Sequence, residues 1–294
     1  MKTIVSGYEL LFIDEAQRIP DLGINLKILH DNLPELKIFI TGSSSLQIQG
    51  LTKEPLTGRT WTFNLYPLAV KELSFHFSPL EIEEKLPLLL IYGGYPEVFS
   101  MENHTNKTQL LTEISNTYLF KDVLELEHIR YRDKLKQLLR LLAFQIGSEV
   151  SIDELSRNLG INRETVERYI YLLEQSFVVF RLSGFSRNLR KEVSKMDKIY
   201  FYDNGIRNSI IDNLKLPEQQ DDIGRLWENF IINERLKKLE YEKIHTSRYF
   251  WRTYTGAELD YIEERDGELY GYEIKWRSKK RRPQAAWMQT YTGA

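Results

Sequence analysis

Hydrophobic positions along the chain alternate between short apolar runs and helical stripes. Leu10 to Ile13 is a continuous apolar run ending in Asp14-Glu15, and Ile38 to Ile40 is a second run ending in Thr41-Gly42-Ser43-Ser44. Between them Leu26, Leu29 and Leu33 recur at helical spacing. Strand, helix, strand reads as a βαβ unit of a parallel sheet, its strands buried on both faces. Leu80 to Tyr92 is helical in pattern and is broken by Gly93-Gly94-Tyr95-Pro96. Further stripes follow over Leu110 to Leu126 and Lys134 to Phe144. Ser151 and Glu154 have capping-box spacing, Gly160 closes that helix, and Asn162 caps the next. Phe177 to Leu182 then reads as a strand. Three helices and a hairpin in this order predict a winged helix-turn-helix. Lys198 to Asp203 is another strand with an acidic end, where Asp203 is read as a helix cap. Ile223 to Leu239 is a long helix, and Tyr249 to Arg252 a further strand.

The most informative alternation flanks Arg265-Asp266-Gly267-Glu268. Asp-Gly between alternating segments signals a two-residue hairpin. With Asp266 and Gly267 as its loop, Asp260 faces Glu273 and Glu258 faces Lys275, all four on one face. Leu259, Tyr261, Tyr270, Tyr272, Ile274 and Trp276 take the other face, which suits burial. Opposed carboxylates repel, and a divalent cation between Asp260 and Glu273 removes the conflict. The plainer reading pairs Glu258 with Lys275 on the surface and leaves the two acids solvated.

Composition narrows the chemistry. The 294 residues contain no cysteine, which excludes disulfides and Cys-ligated metal sites. The five histidines have no metal-ligand spacing. The formal charge of −2 hides a basic stretch, Lys275 to Arg282, with six Lys or Arg in eight positions. No apolar run approaches the ~20 residues of a membrane span. Leu86 to Tyr92 is the longest. A cytoplasmic protein without a membrane partner is expected.

Two resemblances follow from these residues. Asp260, then Glu273-x-Lys275, with Glu228 on a preceding helix, resembles the PD-(D/E)xK nuclease superfamily. That resemblance implies Mg²⁺ held by Asp260 and Glu273, a catalytic Lys275 acting on water, and an assisting Glu228. Arg277, Lys279 and Lys280 would follow a DNA backbone nearby. The series Leu11-Phe12-Ile13-Asp14-Glu15-Ala16-Gln17-Arg18-Ile19-Pro20, Ile40-Thr41-Gly42-Ser43-Ser44, Leu56-Thr57-Gly58-Arg59 and Leu65-Tyr66-Pro67-Leu68 resembles the prokaryotic AAA-superfamily ATPases, with their C-terminal domain of unknown function. Gly93 to Pro96, Lys121-Asp122 and the Lys198-x-Tyr200-x-x-Asp203 pattern extend it. By that resemblance Asp14 holds Mg²⁺ through water, Glu15 polarises the attacking water, Ser43 or Ser44 is the sensor, and Arg59 is a phosphate- or neighbour-sensing arginine. Arg59 reads equally well as a surface salt bridge.

The sequence departs from that family in one respect. No Gly-Lys pair occurs, and only nine residues precede Leu10, so the P-loop that should come before Asp14 is missing. An N-terminal truncation or a decayed ATPase half is expected, binding ATP poorly alone. The expected fold is α/β: a partial P-loop ATPase over 1–100, a helical bridge and winged helix over 101–185, and a nuclease-like domain over 186–294. Mixed charge at Arg163, Glu164, Glu167 and Arg168 favours a packing module for the winged helix, with DNA binding as the lesser alternative. Three functions remain open: an AAA-type ATP-binding protein with a nuclease-like tail, a Mg²⁺-dependent DNA endonuclease, and a non-enzymatic scaffold with relic sites. The last two imply DNA, or a protein partner or second copy, respectively.

Overall fold

The computed structural model describes residues 5–16, 19–42, 59–119, 131–185, 196–252 and 257–276. Among them, two short strands and a helix open the chain: β1 (Leu10–Ile13), α1 (Leu22–Asn32) and β2 (Lys37–Ile40). The strands pair in parallel, Leu10 opposite Lys37 through Ile13 opposite Ile40. A parallel pair needs a crossover, and α1 supplies it, packing Leu22 and Leu26 on Ile13, Ile38 and Ile40. Among the described residues, burial on both faces is not found. Alternate residues are open, with Phe12 62% and Phe39 56% exposed, because among the described residues α1 covers one face of the pair.

Residues 59–69 lead without regular structure into α2 (Val70–Leu73), α3 (Pro79–Tyr92), α4 (Pro96–Ser100) and α5 (His104–Glu113). Ser78 and Glu81 form a capping box ahead of α3, with Pro79 at its first position. Gly93 ends α3 at φ 73°. α5 continues into a π-helical turn, Ile114–Leu119, and α6 (Arg132–Phe144) follows. Lys121-Asp122 lie outside the described residues.

Next come β3 (Glu149–Val150), α7 (Ile152–Leu159), α8 (Arg163–Gln175), β4 (Val179–Gly184) and β5 (Asp197–Phe201). Ser151 Oγ accepts from the Glu154 amide, Gly160 closes α7 at φ 65°, and Asn162 Oδ1 accepts from Thr165. Leu135, Leu138, Leu142, Leu155, Val166 and Ile170 form one core with Val179 and Phe201.

The chain closes with α9 (Asn204–Ile210), α10 (Ile223–Tyr241), β6 (Ser247–Arg252), β7 (Glu258–Arg265) and β8 (Glu268–Tyr272). Six strands form one mixed sheet in the order β3-β5-β4-β6-β7-β8, with β4 and β6 parallel and the other pairs antiparallel. The junction expected between 185 and 186 thus falls inside a continuous sheet, because β4 pairs with both β5 and β6. Asp203 is a cap, as expected: Oδ1 accepts from the Ile206 amide at the start of α9. Its Oδ2 also accepts from Gly94 at 2.7 Å, docking the Gly93-Gly94 turn. A Cβ at Gly205 would lie 2.1 Å from the Tyr92 carbonyl oxygen, so only glycine permits this approach. The whole is a mixed α/β protein.

Candidate functional site

Two groups of acidic residues are positioned by these elements. The first lies at the carboxyl ends of β1 and β2. Thr41 donates its amide to Ile13 (2.9 Å) and accepts from Ala16 (2.9 Å), while its hydroxyl donates to Asp14 Oδ1. Asp14 is exposed, and Glu15 turns the chain at φ 50°. An exposed carboxylate anchored through one oxygen fits a hydrated Mg²⁺, which keeps several waters and takes one or two carboxylates. Ser43 and Ser44 lie outside the described residues. Arg59 pairs with Asp31 at 3.6 Å, both groups near 40% exposed. Asp31 sits at the last turn of α1, whose 11 residues span about 16 Å, so Arg59 is held at the pole opposite Asp14. The structure does not bring these two together.

The second group surrounds the hairpin. β7 and β8 pair from Arg265↔Glu268 to Tyr261↔Tyr272, the expected register. Asp266 (φ 50°) and Gly267 (φ 83°) are both left-handed, as the tight hairpin turn requires. The ladder ends there. Ile274 donates its amide to Asp260 Oδ2 at 2.7 Å, so Asp260 and Glu273 are not paired across the strands.

On its other edge β7 is irregular. Tyr249 and Trp251 of β6 face Ile262 and Leu259 of β7, so two steps of one strand oppose three of the other. This is a β-bulge at Asp260-Tyr261, and it resets the alternation of side chains. Leu259 and Ile262 pack together with Phe185 and Trp251. Tyr261 joins Tyr200, Ile232 and Phe250 in the separate core beneath α10. Glu263 is fully buried and accepts from Arg235 of α10 at 2.5 and 2.9 Å. The open face expected for Asp260 is corrected accordingly: Asp260 is only 6% exposed.

Beside Asp260 stand residues that the hairpin pattern did not single out. Lys198 on β5 has a side chain 4% exposed, and its Nζ lies 2.5 Å from Glu258 and 3.5 Å from Glu228. The Tyr200 hydroxyl donates to Glu228 Oε1 at 2.6 Å. Lys275, 49% exposed, lies 3.6 Å from both Asp260 and Glu273. Burial pushes the Glu228 carboxyl up, and Lys198 and Tyr200 offset this only partly. Burial pulls Lys198 down, but Glu228, Glu258 and Asp260 outweigh it and leave its pKa raised. Tyr200 is raised by burial and then by Glu228. The signal for Lys198 and Tyr200 was present in Lys198-x-Tyr200, since that spacing puts both side chains on one face of a strand.

These residues do not fit a divalent cation as they stand. The carboxylates already face ammonium groups, and among the described residues no cluster of three acidic or histidine side chains is arranged to hold a metal. Arg277, Lys279 and Lys280 lie outside the described residues.

Comparison with known proteins gives three successive matches. Residues 1–74 match an AAA domain, residues 83–220 a domain of unknown function (DUF8612), and residues 223–290 a domain of unknown function (DUF4143). The first and last support an AAA-like, ATPase-related family. An uncharacterized protein of Mycobacterium bovis and one of Mycobacterium tuberculosis are each 30% identical over 269 residues, covering 90% of this chain and 58% of the relative. An uncharacterized protein of Methanocaldococcus jannaschii is 26% identical over 290 residues, covering 92% and 63%. The chain therefore spans less than two thirds of the length of these relatives. No solved structure matches it. The hairpin cluster straddles two matched regions: Lys198 and Tyr200 lie in the second, Glu228, Glu258 and Asp260 in the third. Among the described residues no helix is long and apolar enough to cross a membrane.

Proposed function

We propose that this chain is part of an AAA-type ATP-binding protein that hydrolyses ATP at the Asp14 end of β1. One observation carries the reading: Asp14 stands at the carboxyl end of a parallel strand and is held by Thr41 from the end of its neighbour. Asp14 would hold Mg²⁺ through water, and Glu15 would orient the water that attacks the γ-phosphate. The Mg²⁺ supplies charge neutralisation there. The 294 residues carry no Gly-Lys pair, so the phosphate cradle comes from another stretch of the whole protein or from a partner. ATP turnover by the whole protein is the test. Glu15→Gln should keep nucleotide binding and lower kcat by roughly 10²-fold or more. Unchanged turnover in both Glu15→Gln and Asp14→Asn would overturn the reading.

The order α6, β3, α7, α8, β4, β5, with strands arranged β3-β5-β4, supports a winged helix used for packing. Two of its arginines are paired within the module. Arg181 meets Glu167 (3.0 Å), Glu174 (3.1 Å) and Asp197 (3.6 Å), and Arg163 meets Asp153 (3.2 Å). A Mg²⁺-dependent DNA endonuclease acting through Asp260, Glu273 and Lys275 with Glu228 is the second reading. The convergence of these four residues favours it, and Lys198 weighs against it. The C-terminal half is better read as a scaffold of nuclease-like build that receives a protein partner or a second copy.

A further inference from the structure

The geometry points to Lys198 as the resident cation of the C-terminal acidic cluster, taking the place of a divalent metal so that the cluster is held without one. The inference does not rest on the ATP reading, which concerns the other end of the molecule. It rests on how the acids are matched. Glu228 and Glu258 lie within 3.5 Å of the Lys198 ammonium, and Asp260 and Glu273 lie 3.6 Å from the Lys275 ammonium. Each carboxylate that a nuclease-like site would turn to a metal therefore faces an ammonium already, a buried one for Glu228 and Glu258 and a half-exposed one for Asp260 and Glu273.

Lys198 differs from Lys275 in having nowhere else to go. Its side chain is almost wholly buried, and its ammonium lies 5.2 Å above the centre of the Phe250 ring. Glu258 holds it from β7 and Glu228 from α10. A cation entering between Glu228, Glu258 and Asp260 would have to expel a buried ammonium from its partners and leave it uncompensated, which is strongly unfavourable. Asp260 is also committed, since Oδ2 accepts from the Ile274 amide and faces Lys275. Tyr200 fills one of the remaining acceptor sites on Glu228. The carboxylates of α10 and β7 are thus closed by donors from two places, Lys198 and Tyr200 of β5 and Ile274 and Lys275 after β8.

Thermal unfolding in EDTA and in millimolar MnCl₂ tests this, with every protein carrying Asp14→Asn so that the strand-end site is silent. With Lys198 intact, the melting temperature should be the same in both buffers to within ~1 °C, well inside the change that one lost ion pair would cause. Lys198→Met should melt lower in EDTA by roughly 10 °C and recover part of the loss, saturably, in MnCl₂. Lys198→Met combined with Glu258→Gln removes one charge of each sign. It should melt above the single variant in EDTA, and it replaces that variant if the latter does not fold. A saturable Mn²⁺ shift with Lys198 intact that Asp260→Asn abolishes would overturn the proposal. So would a variant lacking Lys198 that responds to Mn²⁺ no more than the parent. The comparison with Lys198 intact decides the question even if no Lys198 variant folds.

Discussion

At position 261 the bulge turns a tyrosine ring toward α10, and among the described residues its hydroxyl has no hydrogen-bond partner. Burial pushes the Tyr261 hydroxyl up to about 12, with Arg248 and Arg235 pulling the other way. A group whose pKa is raised on folding stabilises below its unfolded value and loses that contribution as pH climbs through the folded one. Stability should therefore fall between pH 10 and about 12. Tyr261→Phe should remove that part of the fall, and at neutral pH it should be neutral or stabilising by up to about 1 kcal/mol. Urea unfolding at pH 7 and pH 11 checks both; a loss of stability at pH 7 would show that the hydroxyl has a partner after all. Single residues were unevenly legible in the sequence. Asp14, Asp260 and Lys275 stand out by motif, whereas Lys198-x-Tyr200 shows only that two side chains share a strand face, not that Lys198 is buried among acids. What buries Lys198 is a pair of carboxylates 30 and 60 positions further along the chain, and no local pattern contains that.

Among the elements, α10 is attached at both ends. Its first two turns present Glu228 to the hairpin cluster, and its last turns hold the segment that follows Arg59. Asn64 and Tyr66 both donate to Glu240, Val70 donates its amide to Glu234 (2.7 Å), Lys71 meets Glu242 (3.0 Å), and Lys237 donates to the Leu68 carbonyl (3.0 Å). Tyr66 also stacks on Tyr202, and burial, then Glu240, raises its pKa. Removing Glu240 should loosen this attachment while sparing the fold. Glu240→Ala should speed chymotryptic cleavage beside the exposed Trp61 and Phe63 roughly tenfold. An unchanged cleavage rate, measured by mass spectrometry under native conditions, would show that Glu240 does not hold the segment. Helix ends were readable because their caps are local: Ser151, Gly160, Asn162 and Asp203 each act within four residues. The hairpin register was readable for the same reason. The β7 bulge was not, because it exists only against β6, and neither was the parallel contact of β4 with β6.

For the molecule as a whole, the six-stranded sheet runs through two matched regions and joins them. A fragment of residues 186–294 would lose β4 and, with it, the ladders to β5 and β6. It should lack the far-ultraviolet circular dichroism of a folded sheet and show no cooperative melt, whereas residues 131–294 should retain both. A cooperative transition in the shorter fragment would show that the junction at 185/186 is a true boundary. The buried lysine also constrains how such a protein changes over generations. Losing Lys198 alone strands the buried Glu228 carboxyl at a cost of roughly 3–5 kcal/mol, a large part of the 5–15 kcal/mol that keeps a typical domain folded. Lineages can therefore exchange a lysine-held cluster for a metal-held one only by altering several positions nearly together, so the two arrangements should persist in separate branches with few intermediates between them.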